Sequence, residues 1–291
     1  MGGKVLAERK TEMTTPLQIL SLGAGVQSST VLLMSCKGLL PKLDAAIFAD
    51  TQWEPPAVYE HLAWLETEAA KAGIPVQRVT AGNLREATLN GFVRAKQAHD
   101  HYASLPLYVI SPAGIMGRMK RQCTQDYKMA PIERFIRREL LGLAKGQIAP
   151  ADAVEHWFGI SADEQRRIRV SEQHWKTNIY PLCNLPGDFL PKMYTRNMCM
   201  DWLRENYPGR AVPRSSCIGC PFHSNAEWRL IKADAAMWAD VCEVDDAIRH
   251  ADGMKGEVFL HHSCRPLREA NLDEDQMTLP FVEECLGLCG N

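Results

Sequence analysis

Residues 17–36, LQILSLGAGVQSSTVLLMSC, carry the pattern that decides the fold of this chain. Residues 17–22 form a short apolar run that predicts a strand, residues 23–25 predict a loop of small residues, and residues 28–36 predict a buried helix. Such a loop exposes backbone N–H groups at a helix N-terminus, where the aligned peptide dipoles amount to roughly half a positive charge. We therefore expect this loop to hold a phosphate or sulfate group.

The next segments repeat the alternation of strand and helix. Residues 44–50 (DAAIFAD) predict a second strand that ends in Asp50-Thr51, residues 59–72 predict an amphipathic helix, and residues 74–80 (IPVQRVT) predict a third strand. This order predicts an α/β fold with a doubly wound parallel sheet, whose ligand lies off the carboxyl ends of the strands. The small-residue loop and Asp50-Thr51 both fall at such ends.

Length and composition indicate an ordinary globular protein: 291 residues, 46% of them apolar and 23% charged. We expect a flexible arm over residues 1–15, a nucleotide-binding α/β domain over residues 16–210, and a cysteine-rich C-terminal region with a mobile tail over residues 211–291. No stretch approaches the roughly 20 apolar residues of a membrane span, and the first 15 residues lack a signal peptide's apolar block. The sequence therefore predicts a cytoplasmic protein with no membrane partner.

The charge and the cysteine content indicate which kinds of ligand and reaction to expect. The net charge of −2 is not the positive charge expected of a protein that binds nucleic acid over its whole surface. Residues 118–138, however, hold seven Lys or Arg against two acids, a local patch that suits a phosphate or sulfate. Ten cysteines in a chain without a secretion signal favour metal binding or redox chemistry, because the cytosol keeps thiols reduced.

The stretch SLGAGVQSSTVLL (residues 21–33), followed by IFADTQWEPPAVYEHLAWL (residues 47–65), resembles the phosphoadenylylsulfate (PAPS) reductase family. That family lies in the PP-loop, or adenine nucleotide α-hydrolase-like (HUP-like), superfamily. The resemblance implies an adenine nucleotide, either ATP or PAPS/APS, with Asp50 and Thr51 beside the ribose or the reacting phosphorus. It implies phosphate contacts from Ser21, Gly23, Gly25, Gln27, Ser28 and Ser29.

The loop departs from the superfamily's ATP pyrophosphatases, which carry an acidic residue in a Ser-Gly-Gly-x-Asp-Ser motif. Here Gln27 precedes Ser28-Ser29, and the Gly-Val-Gln form is nearer to the sulfonucleotide reductases. Nucleotide binding is therefore better supported than cleavage of ATP between its α and β phosphates.

Two further segments resemble family elements. The motif Cys-Thr-x-x-Tyr-Lys-x-x-Pro over residues 123–131 precedes an amphipathic helix with Pro131 in its first turn, and Arg121 and Lys128 would compensate the charge of the nucleotide. The alternative is a helix start with a solvated basic face. Residues 157–169 (WFGISADEQRRIR) match a segment that lines the nucleotide site, which implies roles for Gly159, Ser161, Glu164 and Arg167. A structural alternative has Ser161 as an N-cap, with Glu164 completing a capping box.

Cys217-Ile-Gly-Cys220 is the strongest chemical signal in the C-terminal half, because a Cys-x-x-Cys turn points two sulfurs at one centre. The resemblance implies a [4Fe–4S] cluster held with Cys123, and a fourth position filled by Cys264, by His223, or left open. Structural zinc, and a redox disulfide or plain reduced thiols, are the alternatives.

The tail ECLGLCGN (residues 284–291) resembles the Glu-Cys-Gly end of PAPS reductases, which carries the thiol that attacks sulfur. By that resemblance Cys285 is the catalytic nucleophile, Cys289 the resolving thiol, and a thioredoxin-like reductant a partner. The alternative is a frayed end with incidental cysteines.

Three functions stay open from the sequence. The first is thiol-dependent or iron–sulfur-dependent sulfonucleotide reduction or sulfur transfer. The second is an ATP-dependent, adenylating thiolation enzyme with a nucleic acid or small-molecule acceptor. The third is a non-catalytic nucleotide sensor with structural zinc.

Overall fold

The computed structural model describes residues 15–94, 105–250, 254 and 256–273. The strands of this part are β1 (Leu17–Ser21), β2 (Ala45–Asp50), β3 (Val76–Thr80), β4 (Tyr108–Ile110), β5 (Met116–Arg118), β6 (Val154–Phe158), β7 (Lys176–Ile179) and β8 (Glu257–Phe259). The α-helices are α1 (Val26–Cys36), α2 (Pro56–Lys71), α3 (Leu84–Arg94), α4 (Ala130–Phe135), α5 (Arg196–Asn206), α6 (Asn225–Ala233) and α7 (Ala235–Ile248). In the described part no helix is both long and apolar enough to cross a membrane.

The central sheet has five strands in the order β3-β2-β1-β6-β7, and every neighbouring pair is parallel. Helix α1 contacts both α2 and α5 on one face, and α4 packs on β2 and β3 from the other. The predicted doubly wound parallel sheet is confirmed. The strand order reverses between β1 and β6, so the carboxyl ends of these two strands form the switch point where ligands of such folds bind.

The helix that follows Cys123 differs from the prediction. A π-helical turn over Gln125–Met129 precedes α4, and a second one over Ile136–Leu140 follows it. Pro131 lies in the first turn of α4, as predicted, but helical backbone already begins in the π turn before it. Proline has no N–H, and its ring crowds the preceding turn. A helix can therefore continue through a proline where the regular hydrogen bonds four residues apart are replaced, as in a π turn.

A second, antiparallel sheet has the order β5-β4-β8 and lies in a second hydrophobic core. That core joins Trp53, Leu84 and Leu107 to the cysteine turn and to Trp228 and Val241 of the C-terminal helices. It therefore draws side chains from both sides of residue 210.

Candidate functional site

The loop after β1 has the geometry of an anion site. Gly25 is the N-cap of α1 in extended conformation, without a side-chain capping bond, and the first turn of α1 holds no acidic residue. The first N–H groups of a helix have no partner within it, so they are available to a ligand. The left-handed residue of the loop is Ala24, at φ +54°, while the Gly23 N–H donates to Ser28 Oγ at 3.2 Å.

Gly159 lets the end of β6 approach this loop closely. A Cβ atom at Gly159 would lie 2.6 Å from Ser28 N and 2.8 Å from Ser28 Cα, which is closer than real Cβ contacts. The predicted role of Gly159 at the site thus has a steric basis: only glycine fits between β6 and the first turn of α1.

Gln27 connects the loop to the segment after β6. Its Nε2 donates to Ser161 Oγ at 3.3 Å and to Glu164 Oε2 at 3.0 Å, and Glu164 Oε1 accepts a bond from Arg167 Nη1 at 2.7 Å. Gln27 Oε1 is buried and has no hydrogen-bond partner among the described residues. The network brings a carboxylate next to the loop, which has no acidic residue of its own.

The capping box predicted for Ser161 and Glu164 is wrong. Ser161 makes no side-chain capping bond, because both side chains are bonded to Gln27 instead. A capping box occurs at α6, where Ser224 accepts from the Glu227 N–H and Glu227 Oε2 accepts from the Ser224 N–H at 2.7 Å.

Two buried histidines that the sequence analysis missed hold serines of the loop region. His61 Nε2 lies 2.9 Å from Ser29 Oγ, and His156 Nε2 lies 2.8 Å from Ser21 Oγ. The Ser29 hydroxyl therefore joins α1 to α2, and the Ser21 hydroxyl joins β1 to β6. Burial lowers the pKa of both imidazoles, that of His61 to about 4 with a further effect from the positive charge of Arg210, so both are neutral at pH 7.

We expect the His61→Gln variant to show a shallower loss of stability in acid than the wild type. The pKa of His61 is about 4 in the folded protein and ordinarily 6.5, so the unfolded chain binds more protons in that window. The free energy of unfolding therefore falls as the pH falls from about 6.5 to 4, and His61 contributes on the order of 2 kcal/mol to that fall. Urea unfolding between pH 4 and 7 measures it.

The matched control is His250→Gln, because His250 is exposed. An unchanged slope in His61→Gln would contradict the burial argument.

The carboxyl end of β2 holds a second group of polar residues. Asp50 Oδ1 accepts from the Gln52 N–H and from Tyr59 Oη, both at 2.7 Å, and the Thr51 hydroxyl donates to Glu54 Oε1 at 3.0 Å. Glu54 is buried, lies 3.7 Å from Lys128 Nζ, and has no hydrogen-bond partner for its Oε2 within the described residues. Lys128 therefore lies beside the segment after β2, with Glu54 as an unforeseen partner.

The cysteine turn is attached directly to this segment. The Ile218 N–H donates to the Trp53 carbonyl at 2.8 Å, and a Cβ at Gly219 would lie 2.0 Å from the Trp53 ring. Trp53 Nε1 in turn donates to Asp240 Oδ2 at 2.6 Å, which fixes the ring between the turn and α7. The thiols and the carboxyl end of β2 therefore belong to one site.

Cys217 and Cys220 share a hydrogen bond between their sulfurs. The pKa of Cys220 is lowered, first by the bond from the Cys217 thiol and then by His223 and Arg121, and the pKa of Cys217 is correspondingly raised. Cys123 acts electrostatically on Cys217, so three of the predicted ligands are neighbours. Arg121 lies with its guanidinium 5.1 Å from the Phe222 ring centre, next to the turn.

The two candidates for the fourth ligand, Cys264 and His223, both lie near the cysteine turn. Cys264 and Cys220 both act on the phenol of Tyr108, which places Cys264 near the turn. His223 Nε2 lies 3.0 Å and 3.1 Å from the carbonyls of Cys217 and Ile218, so that nitrogen is already engaged.

As arranged here, the described residues include no group of three or more His, Cys, Asp or Glu side chains that could hold a metal ion. The buried thiols have the soft chemistry that suits iron–sulfur clusters or zinc. Cys217 and Cys220 are hydrogen-bonded to each other. Cys285 and Cys289 lie outside the described residues.

No protein-family model matches the chain, and no curated protein matches it. Among solved structures it is similar to the phosphate complex of PAPS reductase from Candida auris, at 17% sequence identity and a TM-score of 0.40. The match covers 69% of this chain and 76% of that chain. This similarity is too low to assign site residues, so the site rests on the contacts within this chain.

Proposed function

We propose that the chain is an enzyme that binds an adenine nucleotide at the loop before α1 and carries out sulfonucleotide reduction or sulfur transfer with its thiols. One observation supports this most directly. The cysteine turn is hydrogen-bonded to Trp53, three residues after the end of β2, at the same edge of the sheet as the loop. A nucleotide at the loop would therefore have thiols within the same site.

The roles of the loop follow from its donors. The N–H groups at the start of α1 would bind the phosphates around Gly23, Gly25 and Ser28, and the spare Gln27 Oε1 faces the same network. Asp50 and Thr51 would lie beside the ribose or the reacting phosphorus. Lys128 and Arg121 would balance the negative charge of the ligand. Ser21 and Ser29 would act through their histidines, as positioning residues.

Cys123, Cys217, Cys220 and Cys264 are the proposed ligands of a [4Fe–4S] cluster, with zinc as the alternative. A bound cluster would supply electron or sulfur transfer next to the nucleotide. Binding requires the hydrogen bond between Cys217 and Cys220 to open, because a metal ligand must be a thiolate.

The proposed reaction at the sulfur uses the C-terminal cysteines. The Cys285 thiolate would attack the sulfur of the phosphosulfate, the S–O bond to the nucleotide would break, and an S-sulfonate would form on Cys285. Attack by the Cys289 thiolate on the Cys285 sulfur would release sulfite and leave a Cys285–Cys289 disulfide. A thioredoxin-like dithiol would then reduce that disulfide.

One observation favours the second function, ATP-dependent thiolation. Glu164 brings a carboxylate to the amide of Gln27, beside a loop that lacks the acid carried by ATP-cleaving enzymes of the PP-loop superfamily. An acceptor, either a nucleic acid or a small molecule, would then receive the sulfur.

Truncation after Leu279 separates the two enzymatic functions. If the chain is a sulfonucleotide reductase, the truncated protein should lose sulfite formation by several orders of magnitude, because it lacks the nucleophile, and should keep nucleotide affinity. Phosphosulfate reduction with a thiol donor, pyrophosphate release from ATP, and calorimetry with ATP, AMP and phosphosulfate measure these properties for both proteins.

The double variant Cys285→Ser, Cys289→Ser is the matched control, since it removes the thiols and keeps the tail. Undiminished sulfite formation after truncation would exclude Cys285 as the nucleophile. Pyrophosphate release that survives truncation would support thiolation, and nucleotide binding without either activity would support the sensor.

A further inference from the structure

The basic stretch of residues 118–138 is divided between two edges of the sheet. Lys128 lies at the carboxyl edge, next to Glu54. Ile132 and Ile136 belong to the same buried cluster as Ala149, Val154 and Trp175, which lie where β6 and β7 begin. At a rise of about 1.5 Å per residue, Arg138 lies about 15 Å further along the helical run than Lys128. The later arginines therefore belong to the amino edge, opposite the nucleotide loop.

A cleft at this amino edge has four cations among its nine lining residues. It has a volume of about 380 Å³, and its charged lining residues are Glu133, Arg134, Arg137, Arg138 and Lys145. A second cavity of about 380 Å³ continues beyond Arg137 and is lined there by Glu172, His174 and Trp175. The excess of positive charge is confined to the first cavity, which we call the basic cleft.

The charges of the basic cleft are not balanced within it. Glu133 is paired with Lys176 at 2.5 Å, so its charge is already compensated. Arg134, Arg138 and Lys145 have no ion-pair partner in the part of the chain that the structure describes. Like charges held around one concave surface repel one another and raise the local concentration of anions.

The cleft is also built to stay open. Arg137 Nη2 donates to the Gln147 carbonyl at 2.7 Å, and Gln147 Oε1 accepts from the Ala144 N–H at 2.5 Å. These bonds fold the loop over residues 141–149 back onto the helix and hold the Arg137 guanidinium in place. Ordering of the loop therefore does not have to accompany ligand binding.

We infer that the basic cleft is a second anion site, which binds consecutive phosphate groups of a polyphosphate chain, either free or as a nucleic-acid backbone. Guanidinium groups recognise phosphate oxygens in bidentate fashion, and the volume is in the range of small-ligand pockets. The inference is independent of the nucleotide loop, since no residue of the loop lines the cleft.

Calorimetry at low salt with inorganic tripolyphosphate and with a short single-stranded RNA tests this inference. The cleft variant carries Arg134→Gln, Arg138→Gln and Lys145→Gln, and keeps Arg137 because it braces the loop. The control variant carries Lys71→Gln, Arg204→Gln and Arg268→Gln, three exposed cations outside the cleft, and has the same net charge. The cleft variant should bind one tripolyphosphate fewer than the control variant, or bind it at least ~10-fold more weakly.

The measurement with RNA distinguishes a nucleic-acid backbone from a free polyphosphate as the ligand. If RNA also binds more weakly to the cleft variant, with a shallower dependence of affinity on salt, the ligand is a nucleic-acid backbone. If only tripolyphosphate is affected, the ligand is a free polyphosphate. Equal binding of both probes by the two variants would overturn the inference. If instead the nucleotide loop does not bind phosphates, the number of tripolyphosphate molecules bound per chain would be lower by the same amount in the wild type and in both variants.

Discussion

Replacing Gly159 with alanine should weaken nucleotide binding by at least ~100-fold and lower the free energy of unfolding by about 1–3 kcal/mol. The new methyl group would lie 2.6 Å from the Ser28 backbone nitrogen. A backbone atom in the first turn of a helix cannot rotate aside, so either β6 or the start of α1 must shift. The shift displaces the N–H groups that bind phosphate, and a misplacement of about 1 Å is costly at such a site.

Urea unfolding and calorimetry with ATP, AMP and phosphosulfate measure the two effects. Gly117→Ala is the matched control, because a Cβ at Gly117 meets nothing within 4 Å and this glycine has no positive φ. Nucleotide affinity that survives in a folded Gly159→Ala variant would place the ligand elsewhere.

Gly219→Ala should disrupt the cysteine turn. Three atoms of the Trp53 ring lie 2.0 Å, 2.6 Å and 2.7 Å from the position of the new Cβ, and the bond to Asp240 holds the ring in place. We expect a loss of about 3 kcal/mol in unfolding free energy, at the upper end of overpacking. If the proposed cluster or zinc is bound, the variant purified without oxygen should lose most of it.

A double-mutant cycle with Trp53→Leu separates the clash from other effects. Once the ring is removed, Gly219→Ala should cost at least ~1 kcal/mol less than it does in the wild type, which gives a measurable coupling energy. Additive effects of the two substitutions, or a metal content equal to that of the wild type in Gly219→Ala, would contradict the contact on which the site is built.

The sheet was predictable from sequence because its signals are local. The apolar runs before Gly23 and before Thr51 are strands within one or two residues of their predicted bounds, and the alternation with helices determines the parallel order. The π turn before Pro131 was not predicted. A π turn depends on bonds five residues apart and has no simple residue signature.

The site was less predictable because its contacts join distant segments. The pairs Ser29–His61 and Ser21–His156 link residues 32 and 135 positions apart, and no periodicity signals them. A histidine within an apolar strand, as at His156, is the one clue the sequence offers. Glu54 follows the motif at β2 directly, but its burial beside Lys128 follows only from the packing of the π turn against β2. Ser161 and Glu164 have the spacing of a local capping box, but both side chains hydrogen-bond to the distant Gln27 instead.

Trp53 also bears on the order in which the protein folds. Its indole is bonded to Asp240, a residue 187 positions later, and packs on a turn that is synthesised long after β2. Contacts between such distant residues form late, because closing a long loop of chain costs entropy before any contact can offset it. We therefore expect the second core to close only after α7 has left the ribosome. Until then Cys217 and Cys220 lack the burial that the second core gives them in the folded protein, so these thiols are more open to oxidants during synthesis than afterwards.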